Sequence, residues 1–252
     1  MSGAGTQRHA QAPASELPDV REYGAEKQGV RQVSDRRLFM QLLVFTECLD
    51  LKALIGPLET SDLEVVVYLD VNDPRGVGLL FMSEDPSVFT GRVRSLLVSK
   101  PFVDLKPRPE FTMIGRSYSL GHEQDLEDWL LHKPRRNVFN PDLHWAVWYP
   151  LRRKGEFELL SKEEQRPILM EHAKLGMGYG AAELAHDVRL ACHGLDIHDN
   201  EFLLGIVGHE LAPLSRLVQD MRKTQQTTRY IQSMGPFFVG KVFKRFKFPR
   251  NS

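Results

Sequence analysis

Three observations predict an α+β fold for this chain: short apolar runs typical of buried strands, helices with recognisable start signals, and the same order of elements in both halves. Each half follows the order β, α, β, β, α, β, which is the ferredoxin-like arrangement. Two ferredoxin-like domains lying side by side, with their sheets joined, are therefore expected.

In the N-terminal half, apolar runs rich in β-branched residues predict the strands, and a turn-rich segment over 70–76 separates the second strand from the third. Pro86 is compatible with the first turn of a helix. The predicted elements are strands at 38–45, 65–69, 77–82 and 112–120, and a helix over about 83–97. The first helix of this half, before the strand at 65–69, is short and has only a weak sequence signal.

The C-terminal half shows the repeated order more clearly. Ser161 and Glu164 form a capping box, which predicts a helix that continues to about Gly176. A second helix is expected from Pro213, because Leu214, Leu217, Val218 and Met221 recur at helical spacing. Strands are predicted at 144–149, where Pro150 is expected to end the strand, and at 183–191, 202–207 and 236–243.

These elements predict a division of the chain into five segments. They are a mobile N-terminal extension over 1–35, an N-terminal ferredoxin-like domain over 36–122, a linker over 123–142, a C-terminal ferredoxin-like domain over 143–243 and a basic tail over 244–252. The tail is expected to pack on a neighbouring subunit or to touch a membrane surface.

The composition excludes several classes of protein. The chain has 252 residues, with 33 Lys and Arg against 33 Asp and Glu, so it lacks the basic excess of a nucleic-acid-binding protein. No apolar stretch reaches the roughly 20 residues needed to span a bilayer. No secretory signal or dinucleotide fingerprint is recognised, and Cys48 and Cys192 are too few for a disulfide framework. A cytoplasmic location is expected.

Among nine histidines, His172 is distinguished by its predicted helix. It shares a face with Gln165, Leu169, Leu175 and Gly176. A neutral imidazole on a mostly apolar helix face suits an axial haem ligand. A buried histidine bonded to a carbonyl is the commoner arrangement, and the residues alone favour that alternative.

Several motifs that follow one another along the chain favour the axial-ligand interpretation of His172 instead. The run 169–176 around His172 resembles the proximal helix of the chlorite dismutase family. The segments that continue the similarity are 194–196, 201–202, 221–222, 227–230 and 236–240. The similarity is good from about 143 to 243 and compatible in fold from 38 to 120. It implies a dimeric α+β barrel, with haem bound through His172 in the C-terminal domain, and a homopentamer.

Within the family, the sequence is most similar to the coproheme decarboxylases of actinobacterial type. Tyr149 lies 23 residues before His172 and matches their reactive tyrosine, and His132 lies 17 residues before Tyr149 and matches their distal histidine. Ala185 stands 13 residues after His172, where chlorite dismutases have an arginine. A shift of the alignment would make Arg189 the candidate for that arginine.

The resemblance implies that Fe-coproporphyrin III (coproheme) is converted to haem b with hydrogen peroxide, by oxidative decarboxylation of two propionates. Arg222 and Thr227 match positions near propionates, and Arg152 follows the tyrosine strand. Phe157 occupies a position often held by tryptophan. The glutamate that supports the proximal histidine in chlorite dismutases has no counterpart at Val207, and the nearest acids are Glu201 and Glu210.

Three other functions remain open at this point. The first is a haem carrier or sensor without catalysis, which would gain support if His132 lay away from the pocket. The second is a peroxidase or chlorite-degrading enzyme of the chlorite dismutase type. The third is a haem-free oligomeric scaffold.

Overall fold

The structure is a computed structural model of the chain, and it describes residues 18–247. The strands are β1 (Glu22–Lys27), β2 (Val30–Ser34), β3 (Phe39–Thr46), β4 (Glu64–Asp70), β5 (Val77–Ser83), β6 (Lys106–Pro107), β7 (Met113–Arg116), β8 (Trp145–Arg153), β9 (His186–Ala191), β10 (Phe202–Gly208), β11 (Ile231–Met234) and β12 (Phe238–Phe246).

The α-helices are α1 (Ile55–Glu59), α2 (Arg94–Leu97), α3 (Lys133–Phe139), α4 (Lys162–Ala181) and α5 (Leu211–Met221). The π-helical turns Phe89–Val93 and Asp128–His132 lead into α2 and α3, and a third, Gln226–Tyr230, leads into β11. Short 3-10 turns lie at Lys52–Leu54, Phe102–Asp104, Pro109–Phe111 and Gly155–Phe157. Within residues 18–247, no helix is both long enough and apolar enough to cross a membrane.

The main sheet closes on itself. β8 pairs with β12 on one side and with β10 on the other, and the ring continues through β9, β7, β3, β5 and β4 back to β12. β11 and β6 attach to β8 and β3 as additional strands. The β1–β2 hairpin forms a separate small sheet. The mixed architecture confirms the predicted α+β fold class.

Three hydrophobic clusters follow from the alternation of side chains along the closed sheet. One cluster takes residues from strands around the whole ring, including Leu42, Leu80, Trp148 and Leu203. A second lies on the opposite face of the N-terminal strands, under α1 and α2. The third includes Val147, Tyr149 and Ile206 on the C-terminal strands, together with Leu214 and Leu217 of α5. The C-terminal sheet therefore has one face in the shared core and the other beneath helices.

Strand β8 is longer than the sequence predicts, because Pro150 does not end it. In an antiparallel ladder, the N–H and C=O groups of one residue point to the same side of the strand. The carbonyl of Pro150 accepts from the backbone N–H of Gly235 at 2.8 Å, so the missing N–H faces the segment where pairing with β11 ends. Proline is tolerated at such a position.

The expected mobile extension over 1–35 needs correction for its second part, while residues 1–17 lie outside the described residues. Residues 22–34 form the β1–β2 hairpin. Gln32 fixes this hairpin to a distant part of the chain, because its Nε2 donates to the carbonyl of Glu123 at 3.2 Å and its Oε1 accepts from the N–H of Leu126 at 3.1 Å. These long-range bonds cannot be inferred from the local composition.

The segment 123–142, expected to be a linker, is largely helical. It contains the turn Asp128–His132 followed directly by α3, and Leu126, Leu130 and Leu131 are buried in the central cluster. The expected basic tail also begins later than at residue 244, because β12 extends to Phe246 by pairing with β4. Residues 248–252 of the tail lie outside the described residues.

Candidate functional site

The candidate site lies between α4 and the outer face of β8, β10 and β9. Leu204 of β10 pairs with Tyr149 of β8 on one side and with Arg189 of β9 on the other. Residues directly opposite in a ladder point to the same face, and strands lie about 4.8 Å apart. Tyr149 and Arg189 therefore share one face at the same level, with their Cα atoms about 10 Å apart.

Helix α4 covers this face incompletely. Its start agrees with the sequence: the hydroxyl of Ser161 accepts from the N–H of Glu164 at 3.3 Å, and the Glu164 carboxylate accepts from the N–H of Ser161 at 2.8 Å. The helix runs to Ala181 rather than to about Gly176, yet Ile168 is the only buried residue among its 20. A helix of this length normally buries a whole apolar stripe. Space for a ligand between α4 and the sheet is consistent with this pattern.

His172 lies on the inner, half-buried side of α4. Desolvation lowers the pKa of its imidazole below the ordinary value, and the positive charge of Arg189 lowers it further. The ring is therefore held in the neutral form at physiological pH, which is the form that binds a metal.

A threonine hydroxyl is the hydrogen-bonding partner of His172. Nδ1 of His172 lies 3.4 Å from Oγ1 of Thr224, and Thr224 is 4% exposed. The same hydroxyl donates to the carbonyl of Met221 at 2.8 Å, so it is available to accept from Nδ1–H. This arrangement leaves Nε2 as the nitrogen with a free lone pair.

The adjacent residue fixes the same loop, because the carboxylate of Glu171 accepts from the N–H of Gln225 at 2.9 Å. The two acids that the sequence analysis considered as supports for His172 do not take this place. Glu201 contacts Arg153, with 3.3 Å between its carboxylate and Nε, and Glu210 is exposed at the start of α5. The sequence offered no signal for Thr224, which lies 52 residues after His172.

Tyr149 is buried against Phe237, with the two rings stacked at a centroid distance of 4.6 Å and an interplanar angle of 23°. Burial raises the pKa of the phenol to about 12, although the positive charge of Arg222 opposes the shift. The phenol therefore keeps its proton at physiological pH. Arg222 is exposed, and its guanidinium carbon lies 5.9 Å from the centroid of the Phe237 ring.

The other residues predicted to contact the porphyrin lie in three different environments. Arg152 forms an ion pair with Asp199. Phe157 is buried and its ring lies edge-on to that of Tyr230 at 5.3 Å. Thr227 is half-buried, with its Oγ1 3.3 Å from that of Thr224.

Ala185 belongs to the same buried cluster as Tyr149, whereas His132 is not part of it. His132 is exposed at the end of the π-helical turn Asp128–His132. Ala185 is buried in the cluster that contains Leu214 and Leu217 of α5. On β9, the cation level with Tyr149 is instead Arg189.

A charged cluster beside Arg189 was missed by the sequence analysis. The carboxylate of Asp187 lies 2.7 Å from Nε of Arg189 and 3.5 Å from Nζ of Lys133. Burial would raise the pKa of Asp187, but the charges of Arg189 and Lys133 outweigh it, and the pKa lies below its usual range. Both cations also contact the ring of Trp129, at centroid distances of 4.9 Å and 4.2 Å. These four residues come from two separate segments, and only folding joins them.

The C-terminal part of this α+β chain is similar to the chlorite dismutase family. Residues 131–243 match the family model for chlorite dismutase. This range contains β8, α4 and all the site residues discussed above except Trp129. The match covers the C-terminal part of the chain, and the fold likeness extends to the N-terminal part.

Solved structures show this wider likeness. A haem-binding protein from Thermus thermophilus has a TM-score of 0.65 at 18% identity, covering 83% of this chain and 92% of that protein. The chlorite dismutase of Candidatus Nitrospira defluvii in complex with imidazole has a TM-score of 0.63 at 14% identity, with coverage of 82% and 91%. At these identities, the likeness establishes a common fold.

Proposed function

We propose that this chain binds an iron porphyrin through His172 and catalyses the peroxide-dependent decarboxylation of coproheme to haem b. The observation that carries the proposal is the arrangement of a neutral, supported histidine on α4 above a sheet face that contains the buried phenol of Tyr149. The family match over residues 131–243 and the haem-binding relative of the same fold support it.

The residues beneath α4 fit such a ligand. The contact between Nδ1 and Thr224 leaves Nε2 of His172 as the nitrogen that would hold the iron. Hydrogen bonds behind a ligand orient metal-binding histidines in general. On the face of α4 that contains His172, a β-carbon at Gly176 would lie 3.3 Å from Cε of Met221, the end of a flexible side chain.

When bound, the ferric porphyrin supplies the oxidising power, and peroxide is the oxidant. For each propionate, one C–H bond and the bond to the carboxylate carbon break, CO₂ leaves, a vinyl group remains, and one peroxide is reduced to two waters. Tyr149 holds its phenol proton at neutral pH and can therefore give up a hydrogen atom. Stacking on Phe237 fixes the position of the phenol.

Proton transfer from peroxide is assigned to His132, since a histidine is suited to this role near neutral pH. The assignment requires the exposed side chain to turn inward beside Lys133, its neighbour in the chain.

Arg222 is proposed to contact a propionate, because it lies close to Tyr149 and no ion pair within residues 18–247 involves it. Thr227, Phe157, Arg152 and Ala185 are proposed to line the porphyrin pocket. A cytoplasmic homopentamer is proposed as the working form.

The exposure of His132 favours a second candidate, a haem carrier or sensor that does not catalyse decarboxylation. In that case, the chain would bind an iron porphyrin through His172 without a base on the sheet side. The same pocket would then serve for binding alone.

The test is to load the protein with ferric coproporphyrin III, titrate hydrogen peroxide and follow the porphyrin mass. We expect successive loss of two CO₂ units from the wild type. Tyr149→Phe should bind coproheme with unchanged affinity and turn over at least about 100-fold more slowly, because the phenol proton is lost while the ring stacking is kept. Tight binding without any mass change in the wild type would establish the carrier instead, and wild-type rates in Tyr149→Phe would remove Tyr149 from the mechanism.

A further inference from the structure

A small cleft opens where β9 meets the segment that follows β7. It is lined by Tyr118, Trp129, Lys133, Asp187 and Arg189, among others. The backbone carbonyl of Asp187 accepts from Nδ2 of Asn137 at 2.8 Å, which fixes β9 against α3 at the cleft. The cleft is therefore built by residues from distant parts of the chain.

The charges in this cleft do not cancel. Lys133 and Arg189 contribute two positive charges and Asp187 contributes one negative charge. Asp187 contacts Arg189 through Nε, and within residues 18–247 no other carboxylate forms an ion pair with Arg189. The terminal nitrogens of that guanidinium provide the paired donor geometry that suits a carboxylate.

Trp129 holds the two cations in place. The ammonium of Lys133 lies 4.2 Å and the guanidinium carbon of Arg189 lies 4.9 Å from the centroid of its ring. Cations at such distances are attracted by the ring face. The indole Nε1 in turn donates to the carbonyl of Tyr118 at 2.9 Å, which fixes the ring. Both cationic side chains are about one-third exposed, so the preorganised charges remain accessible.

The cleft adjoins the sheet face that contains Tyr149. Arg189 lines the cleft and lies at the level of Tyr149 on the same face of the sheet. We propose that the cleft of Lys133, Arg189 and Trp129 is a carboxylate subsite that receives one acidic arm of the porphyrin. This inference rests on the proposed function and extends it to the recognition of the substrate.

Asp187 has a definite role in this subsite. In the absence of a ligand, its carboxylate occupies the cations that the porphyrin arm would bind. An incoming carboxylate therefore competes with Asp187 for Arg189 and Lys133. Removing the charge of Asp187 is expected to strengthen binding, whereas removing the charge of Arg189 is expected to weaken it.

The experiment compares the dissociation constants of ferric coproporphyrin III and its tetramethyl ester, measured by Soret titration of the full-length protein. The ester keeps the metal and the ring but has no carboxylate charge. Arg189→Gln should reduce the preference for the acid over the ester by about tenfold, because a charge-assisted bidentate contact is lost. Lys133→Gln should act in the same direction with a smaller effect, since its contact with Asp187 is longer.

Asp187→Asn should increase the preference for the acid over the ester by about threefold or more. A general structural disturbance would not increase this preference. Arg136→Gln is the matched control, because Arg136 lies on the same helix as Lys133 but pairs with Asp128 outside the cleft. It should leave both affinities unchanged. Circular dichroism confirms that each variant is folded.

Equal weakening of acid and ester in Arg189→Gln would show a merely structural role and overturn the subsite. An unchanged acid preference in Arg189→Gln and Asp187→Asn would also overturn it. A wild type that binds neither porphyrin would refute the proposed function itself, and the subsite with it. Tight binding of both porphyrins without acid preference would refute only the subsite.

Discussion

At the scale of single residues, the contact between His172 and Thr224 shows how a neutral partner can replace a carboxylate. A carboxylate on Nδ1 would increase the negative character of the imidazole, whereas a hydroxyl orients the ring without adding charge. Because the Thr224 hydroxyl already donates to Met221, its acceptor side faces the imidazole. The tautomer of His172 is therefore set by a residue that contributes no charge to the site.

Thr224→Val keeps the shape of the side chain and removes the acceptor. We expect haem affinity to fall about tenfold, at the lower end of the range for contacts behind metal ligands, and the iron–histidine stretching frequency to change. Thr224→Ser retains the hydroxyl and should bind nearly as the wild type does. Soret titration and resonance Raman spectroscopy measure the two effects. Identical behaviour of the Val and Ser variants would contradict the role of the hydroxyl.

At the scale of elements, α4 and α5 differ in how they attach to the sheet. α5 buries Leu214 and Leu217 in the cluster above β8 and β10, whereas α4 buries only Ile168. Few buried apolar contacts mean a low local free energy of opening. The helix that carries His172 is therefore the less stable of the two without a ligand.

Binding of an iron porphyrin should thus stabilise α4 selectively. We expect hydrogen–deuterium exchange of the amides in Lys162–Ala181 to slow at least about tenfold on addition of coproheme, while β4 and β5 on the far side of the sheet stay unchanged. His172→Ala should lose most of the added protection because the axial bond is absent. Uniform protection across the chain would show that ligand binding acts on global stability instead.

At the scale of the whole molecule, the closed sheet depends on large rings lying directly over glycines. A β-carbon at Gly205 of β10 would come within 2.4 Å of the indole of Trp148 on β8. Trp148 is fully buried in the central cluster, so its ring has no free space to move into. The packing between β8 and β10 therefore requires glycine at this position.

Gly205→Ala should lower the free energy of unfolding by about 1–3 kcal/mol, as overpacking of a filled core does. Gly56→Ala is the matched control: a β-carbon there meets no atom within 4 Å, and alanine favours the helix, so stability should be unchanged or slightly higher. Chemical denaturation measures both variants. Equal stability of the Gly205 and Gly56 variants would contradict the packing argument.

How much the sequence predicted depends on how local each interaction is. The strands β4 and β5 and the start of α4 follow from apolar runs and a capping box, both of which act within a few residues. The β1–β2 hairpin and the helical segment before β8 were missed, because their stability comes from contacts with distant residues such as Gln32 with Glu123.

By itself, the sequence determined the α+β class, the helix of His172 and the strand of Tyr149, since periodicity and capping depend only on residues that are close together in the chain. Only the tertiary structure decided which residues meet: Thr224 at the imidazole of His172, Arg189 level with Tyr149, and Lys133 beside Asp187. The physical reason is that strand register and helix docking depend on the packing of the whole core, and a spacing in the sequence does not specify a distance across a sheet.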